Sequence, residues 1–148
     1  MLCDELRGRV SYFLTRYHQV HNAYGRASIR LDQQEMVCFS WIEMYRQEND
    51  LNKIGDETGR GDTNDLILKN RWDASATYCD MDFLSAAISF LQMSITDALS
   101  SEDFIVQIFA IMDRRVGKRT LQKIKESGVY QGYPSWVKQF FDLRLGAR

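Results

Sequence analysis

Apolar residues recur at three- and four-residue spacings through the first segment, at Leu2, Leu6, Val10, Phe13, Leu14 and Tyr17. That period predicts an amphipathic N-terminal helix with Arg7, Arg9 and Arg16 mostly off the stripe, ending before Gly25. The period then changes to two. Ala27, Ile29 and Leu31 alternate with polar residues, and the run Met36 to Trp41 is rich in strand formers. With Asp32-Gln-Gln-Glu35 between them, the two runs predict a β-hairpin whose turn lacks the Asn-Gly or Asp-Gly signature.

From Glu43 to Asp80 no clear period holds, and Gly55, Gly59 and Gly61 predict an exposed loop. Helical spacing returns after Asp80, read as an N-cap, with Leu84, Ile88, Leu91, Ile95 and Ala98 forming the core stripe of a helix over 81–99. Ser100 and Asp103 resemble a capping box for a second helix, apolar on nearly every side, through Ile105, Ile108 and Met112. Gly117 joins it to a third helix over 118–127. Pro134 fits the first turn of a last one, docked by Trp136, Val137, Phe140, Phe141 and Leu143. The predicted architecture is a single α+β domain spanning 1–148. It has an N-terminal helix, a small antiparallel β-hairpin or sheet, and a C-terminal cluster of about four helices.

A chain of 148 residues buries roughly two thirds of its unfolded surface and needs no metal or disulfide to fold. Cys3, Cys38 and Cys79 are far apart and lack Cys-x-x-Cys spacing, so reduced thiols are expected. No apolar run reaches the ~18 residues of a membrane span, and the first residues are acidic where a signal peptide is basic. A cytoplasmic location is expected, without membrane association.

Charge changes the picture. Residues 1–112 hold ten Lys and Arg against seventeen Asp and Glu, a balance of −7, whereas 113–148 hold nine against three, a balance of +6. The acidic excess is densest over Glu43–Asp80, with nine acids and five basic residues. Here Asp56, Glu57, Asp62 and Asp65 flank glycines, in the loop-like setting where binding residues tend to sit.

The basic excess centres on Asp113-Arg-Arg-Val-Gly-Lys-Arg119. As an anion site, Arg114, Arg115, Lys118 and Arg119 would offer guanidinium forks and a helix N-terminus to a phosphate. As structure, the same cations would sit favourably near a helix C-terminus and pair with acids, and this reading is preferred. A helix-turn-helix is a third reading, against which stands a net charge of −1. His18 and His21 lack further ligands, so no metal and no cofactor is expected. Neither a glycine-rich phosphate loop, Gly-x-Ser-x-Gly nor His-Glu-x-x-His occurs, and an enzyme is the less favoured class.

Gly25-Arg-Ala-Ser-Ile-Arg-Leu-Asp32 through Ser40, Ser94-Ile-Thr-Asp-Ala-Leu-Ser100, Asp113–Arg119 and the segment Trp136 to Arg144 together resemble an uncharacterised family of small bacterial cytoplasmic proteins. The resemblance implies a bacterial origin and a shared fold, and brings no catalytic residues. The leading expectation is a non-enzymatic protein-binding module of the immunity or antitoxin kind. Its acidic surface would meet a basic partner such as a toxin or nuclease. The alternative is nucleic-acid or phosphorylated-ligand binding through Asp113–Arg119.

Overall fold

The computed structural model describes residues 1–16, 25–40 and 79–146. Three antiparallel strands form one sheet in the order β1 (Val10–Arg16), β2 (Gly25–Leu31), β3 (Gln34–Ser40). Helical segments follow: α1 (Asp80–Gln92), α2 (Ile95–Leu99), α3 (Phe104–Met112), α4 (Lys118–Glu126), α5 (Gly128–Gln131) and α6 (Ser135–Leu145). The fold is α+β, as the change of period implies, with a larger helical cluster than the four elements expected.

The N-terminal helix is not seen. Residues 4–9 make successive turns, closed by Leu6 N–H to the Cys3 carbonyl (3.1 Å) and Val10 N–H to the Leu6 carbonyl (2.9 Å). Gly8, at φ +81, stands in a left-handed conformation that breaks any continuing helix. The chain then becomes β1, because Val-Ser-Tyr-Phe-Leu-Thr is rich in β-branched and aromatic residues. Val10 and Leu14, spaced four apart, satisfy a period of two as well as a helical one. Pairing with β2, from Val10 opposite Leu31 to Arg16 opposite Gly25, selects the strand.

The predicted hairpin is present as β2–β3, with the turn tightened to Asp32 and Gln33, opposite-paired by Leu31 and Gln34. Both turn residues take positive φ, 49° and 69°, the geometry that usually calls for Asn-Gly. Arg9 supports this less permissive pair. Its Nε and Nη2 donate to the Asp32 carboxylate at 3.1 and 2.6 Å, while its carbonyl accepts from Asp32 N–H at 2.9 Å. Gly25 opens β2 rather than closing a helix. A methyl group there would overlap the carboxylate of Asp80 and stand 3.0 Å from the Thr15 carbonyl oxygen.

One face of the sheet, through Val10, Ala27, Ile29 and Phe39, packs into a core continuous with the helices. The centre is α3, in which Ile105 through Met112 are all buried. α1 lies on α3 and on β2 and β3, α2 lies on α3, and α6 packs against α3 and α4. Val137, Phe140 and Phe141 seal α6.

Sequence expectations for the helices are corrected in three respects. The single helix over 81–99 is two, broken at Met93, because the Ser94 side chain accepts from Asp97 N–H (3.1 Å) and starts α2 afresh. Capping also shifts elsewhere. Cys79, not Asp80, is the N-cap of α1, and Asp103 rather than Ser100 caps α3 by accepting from Ile105 N–H at 2.8 Å. The core face of α1 is likewise Phe83, Ala86 and Phe90, so Ile88 and Leu91 point outward.

Candidate functional site

The motif 113–119 begins where α3 ends. Asp113 is the C-cap residue, 1% exposed, and its carboxylate is surrounded by donors. Arg115 gives its backbone N–H at 2.8 Å and its Nε at 2.9 Å to Oδ1, with Nη2 at 3.2 Å from Oδ2. The Met1 ammonium donates to Oδ2 at 2.6 Å. The N-terminal segment is stitched to the same turn by Cys3 N–H on the Met112 carbonyl (3.0 Å) and Arg114 N–H on the Met1 carbonyl (2.9 Å).

A second clamp comes from α6. Arg144, 4% exposed, donates Nε to the Ile111 carbonyl (2.8 Å) and Nη2 to the Val116 carbonyl (2.6 Å). Its Nη1 reaches Glu5 at 3.1 Å, and Glu5 also pairs with Lys118 at 2.7 Å. A cation at this place satisfies carbonyls that the end of α3 leaves open and complements the helix dipole.

Of the four cations read as an anion site, Arg115 and Lys118 therefore have intramolecular partners. Arg114 and Arg119 make no side-chain hydrogen bond or ion pair among the described residues. Gly117 is the N-cap of α4 at an ordinary φ of −78° with open space around it, so neither conformation nor packing demands glycine there. Asp56, Glu57, Asp62, Asp65, His18 and His21 lie outside the described residues. Cys3 and Cys79 are buried thiols, and burial, with Asp82 second, pushes Cys79 up to about 12. Among the described residues no His, Cys, Asp and Glu cluster could hold a metal ion, and no helix is long and apolar enough to cross a membrane.

Burial raises the Asp113 carboxyl, but the Arg115 side chain, the Met1 ammonium and the Arg115 N–H together hold it down at about 2. A folded-state pKa below the unfolded value gives stability that is complete above about pH 4. That stability is lost as pH falls through about 2. The linkage amounts to roughly 2 kcal/mol. Urea unfolding between pH 5 and pH 2 should show the wild type converging on Asp113→Asn as pH falls. A gap between the two that stays constant over that range would remove Asp113 as the acid-sensitive group.

The second feature is the flank of α1. Between β1, α1 and α3 lies a cavity of roughly 300 Å³, walled by Tyr12, Phe83, Ala87, Phe90, Phe109 and Met112. Its rings meet edge-on or tilted, with Phe83 and Phe109 centroids 5.4 Å apart and Tyr12 and Phe109 5.8 Å apart. Leu91, Asp113 and, from the N-terminal segment, Met1 and Leu2 also line it. Leu91 belongs at once to this cavity and to the outer face of α1, where Met81, Ile88 and Leu91 are exposed; Ile88 is 58% and Leu91 82% accessible. Desolvation, with the Asp113 charge second, pushes the half-exposed Tyr12 phenol up to about 12, so it is a neutral hydroxyl at physiological pH.

The SF0329 protein family matches residues 1–145. The chain belongs to that family. No curated protein and no solved structure matches the SF0329 chain. Its functional reading rests on its own geometry.

Sequence reasoning passed over both the buried role of Arg144 and the outer face of α1. The signal for the second was present: α1 is apolar on more sides than one core contact can cover, with Phe83, Ala86 and Phe90 on one face and Leu84, Ile88 and Leu91 on another.

Proposed function

We propose that this SF0329 protein is a non-enzymatic protein-binding module of the immunity or antitoxin kind. On this reading the outer face of α1 receives a partner segment with apolar residues flanked by Lys or Arg. The observation that carries the reading is the outward position of Ile88 and Leu91 on a helix whose opposite side is core. Single exposed apolar residues are ordinary, but a contiguous set marks an interaction surface.

Charge favours a basic partner. From Cys79 to Met112 the chain carries Asp80, Asp82, Asp97, Glu102 and Asp103 and not one Lys, Arg or His. Asp97 and Glu102 are exposed. This acidic stretch attracts a cationic partner, while the two cations nearest the cavity, the Met1 ammonium and Arg115 over the Phe90 ring at 5.8 Å, are both paired with Asp113. The acidic excess over Glu43–Asp80 adds to the same sign.

The test is capture of a protein partner by cross-linking, followed by affinity measurement on wild type and the Ile88→Glu, Leu91→Glu double variant. The variant should melt within a few degrees of wild type and lose at least about tenfold in affinity, as a hot-spot face does. Association should slow as salt is added, and Asp62→Lys with Asp65→Lys should slow it further if the 43–80 segment contributes to steering. Equal binding by the double variant would end the docking reading. Recovery of nucleic acid or a phosphorylated ligand instead, lost with Arg114→Ala and Arg119→Ala, would move the function to the motif.

A further inference from the structure

We infer that the cavity between β1, α1 and α3 is the anchor socket of this docking face, taking one aromatic side chain, Trp or Phe, from the partner segment. The inference rests on the docking reading above and specifies what the partner must present. Size is the first argument. A cavity of ~150 Å³ lined by aliphatic and aromatic groups holds benzene, and this one, at roughly 300 Å³, has room for an indole.

The walls are the second argument. Phe83, Phe90, Phe109 and Tyr12 present ring edges and faces, and Met112 adds a polarisable thioether, all surfaces that favour an incoming ring. The mouth is the third. Ala87 lies one turn from both Phe83 and Leu91, and its single methyl leaves open the flank that a larger residue would close. Leu91 lines the cavity and is also largely exposed, so a side chain seated inside continues directly onto a main chain lying along Ile88 and Leu91.

The polar groups also suit a neutral ring. The Asp113 carboxylate is engaged by Arg115 and the Met1 ammonium, so it does not call for a cation from the ligand. The Tyr12 hydroxyl makes no hydrogen bond among the described residues and can accept an indole N–H.

The probe is N-acetyl-tryptophan amide, titrated into the full chain while methyl resonances of Ala87 and Met112 are followed by NMR. Saturable shifts are expected at both methyls, with none from N-acetyl-alanine amide. Ala87→Phe, which fills the socket from within, should weaken the probe at least tenfold and leave melting unchanged or higher. Ala87→Leu serves the same purpose with less bulk. Ile88→Glu, outside the socket, should change probe affinity less than twofold while still weakening the partner.

Absence of saturable shifts, or probe affinity at the Met112 methyl in Ala87→Phe and Ala87→Leu equal to that of wild type, overturns the socket. A partner lost by Ile88→Glu but indifferent to Ala87→Phe overturns the socket and leaves the docking face standing. If the probe is blocked by Ala87→Phe while the partner ignores both variants, docking and anchor both fail. The cavity is then a site for a free aromatic molecule.

Discussion

Replacing Arg144 with Ala should destabilise the protein by about 3 kcal/mol or more, the range for removing one member of a buried, charged hydrogen-bonded set. Its guanidinium is almost fully enclosed and joins the Ile111 carbonyl, the Val116 carbonyl and Glu5. Truncation leaves the two carbonyls short of a donor and Glu5 with Lys118 as its remaining partner. Arg144→Lys should recover little, because one ammonium cannot span the fork that serves three acceptors. Urea unfolding monitored by tryptophan fluorescence measures both variants. A loss under about 1 kcal/mol for Arg144→Ala would mean that water replaces the guanidinium at no great penalty, and that the clamp is not what holds the turn.

The two isoleucines of α1 and α3 should separate sharply. Ile108, completely buried in α3, is expected to cost about 2–5 kcal/mol when cut to Ala, through lost burial and the cavity left behind. Ile88, more than half exposed, should cost under about 0.5 kcal/mol, with the better helix propensity of Ala offsetting what little packing is lost. Denaturant midpoints at constant m-value decide it. A large loss at Ile88 would show that its face is covered within the folded chain, and would take the docking surface with it.

The hairpin was legible because Ala27, Ile29 and Leu31 alternate without interruption and a polar pair follows, features set within a dozen residues. β1 was not, since Val10 and Leu14 fit two periods and the sheet partner that decides between them lies beyond the local window. The outward face of α1 was misassigned for a different reason. Leu84, Ile88 and Leu91 form as regular a stripe as Phe83, Ala86 and Phe90, and periodicity does not say which stripe meets α3. The basic motif could be seen as a motif, yet its intramolecular contacts could not, because Met1, Glu5 and Arg144 reach Asp113–Lys118 from distant parts of the sequence.

That long-range stitching has a consequence for biosynthesis. Glu5 meets Arg144 across 139 positions, and Leu2 bridges to Asp113. The three strands are translated first, but the surfaces that bury their inner face, α1 and α3, come only after residue 79. A nascent chain that has just completed β3 therefore holds Ile29 and Phe39 without their cover, in a state prone to wrong associations. The clamp that joins Glu5 to the end of α3 forms only once α6 has delivered Arg144, so the last-made helix completes the contacts of the first-made turns.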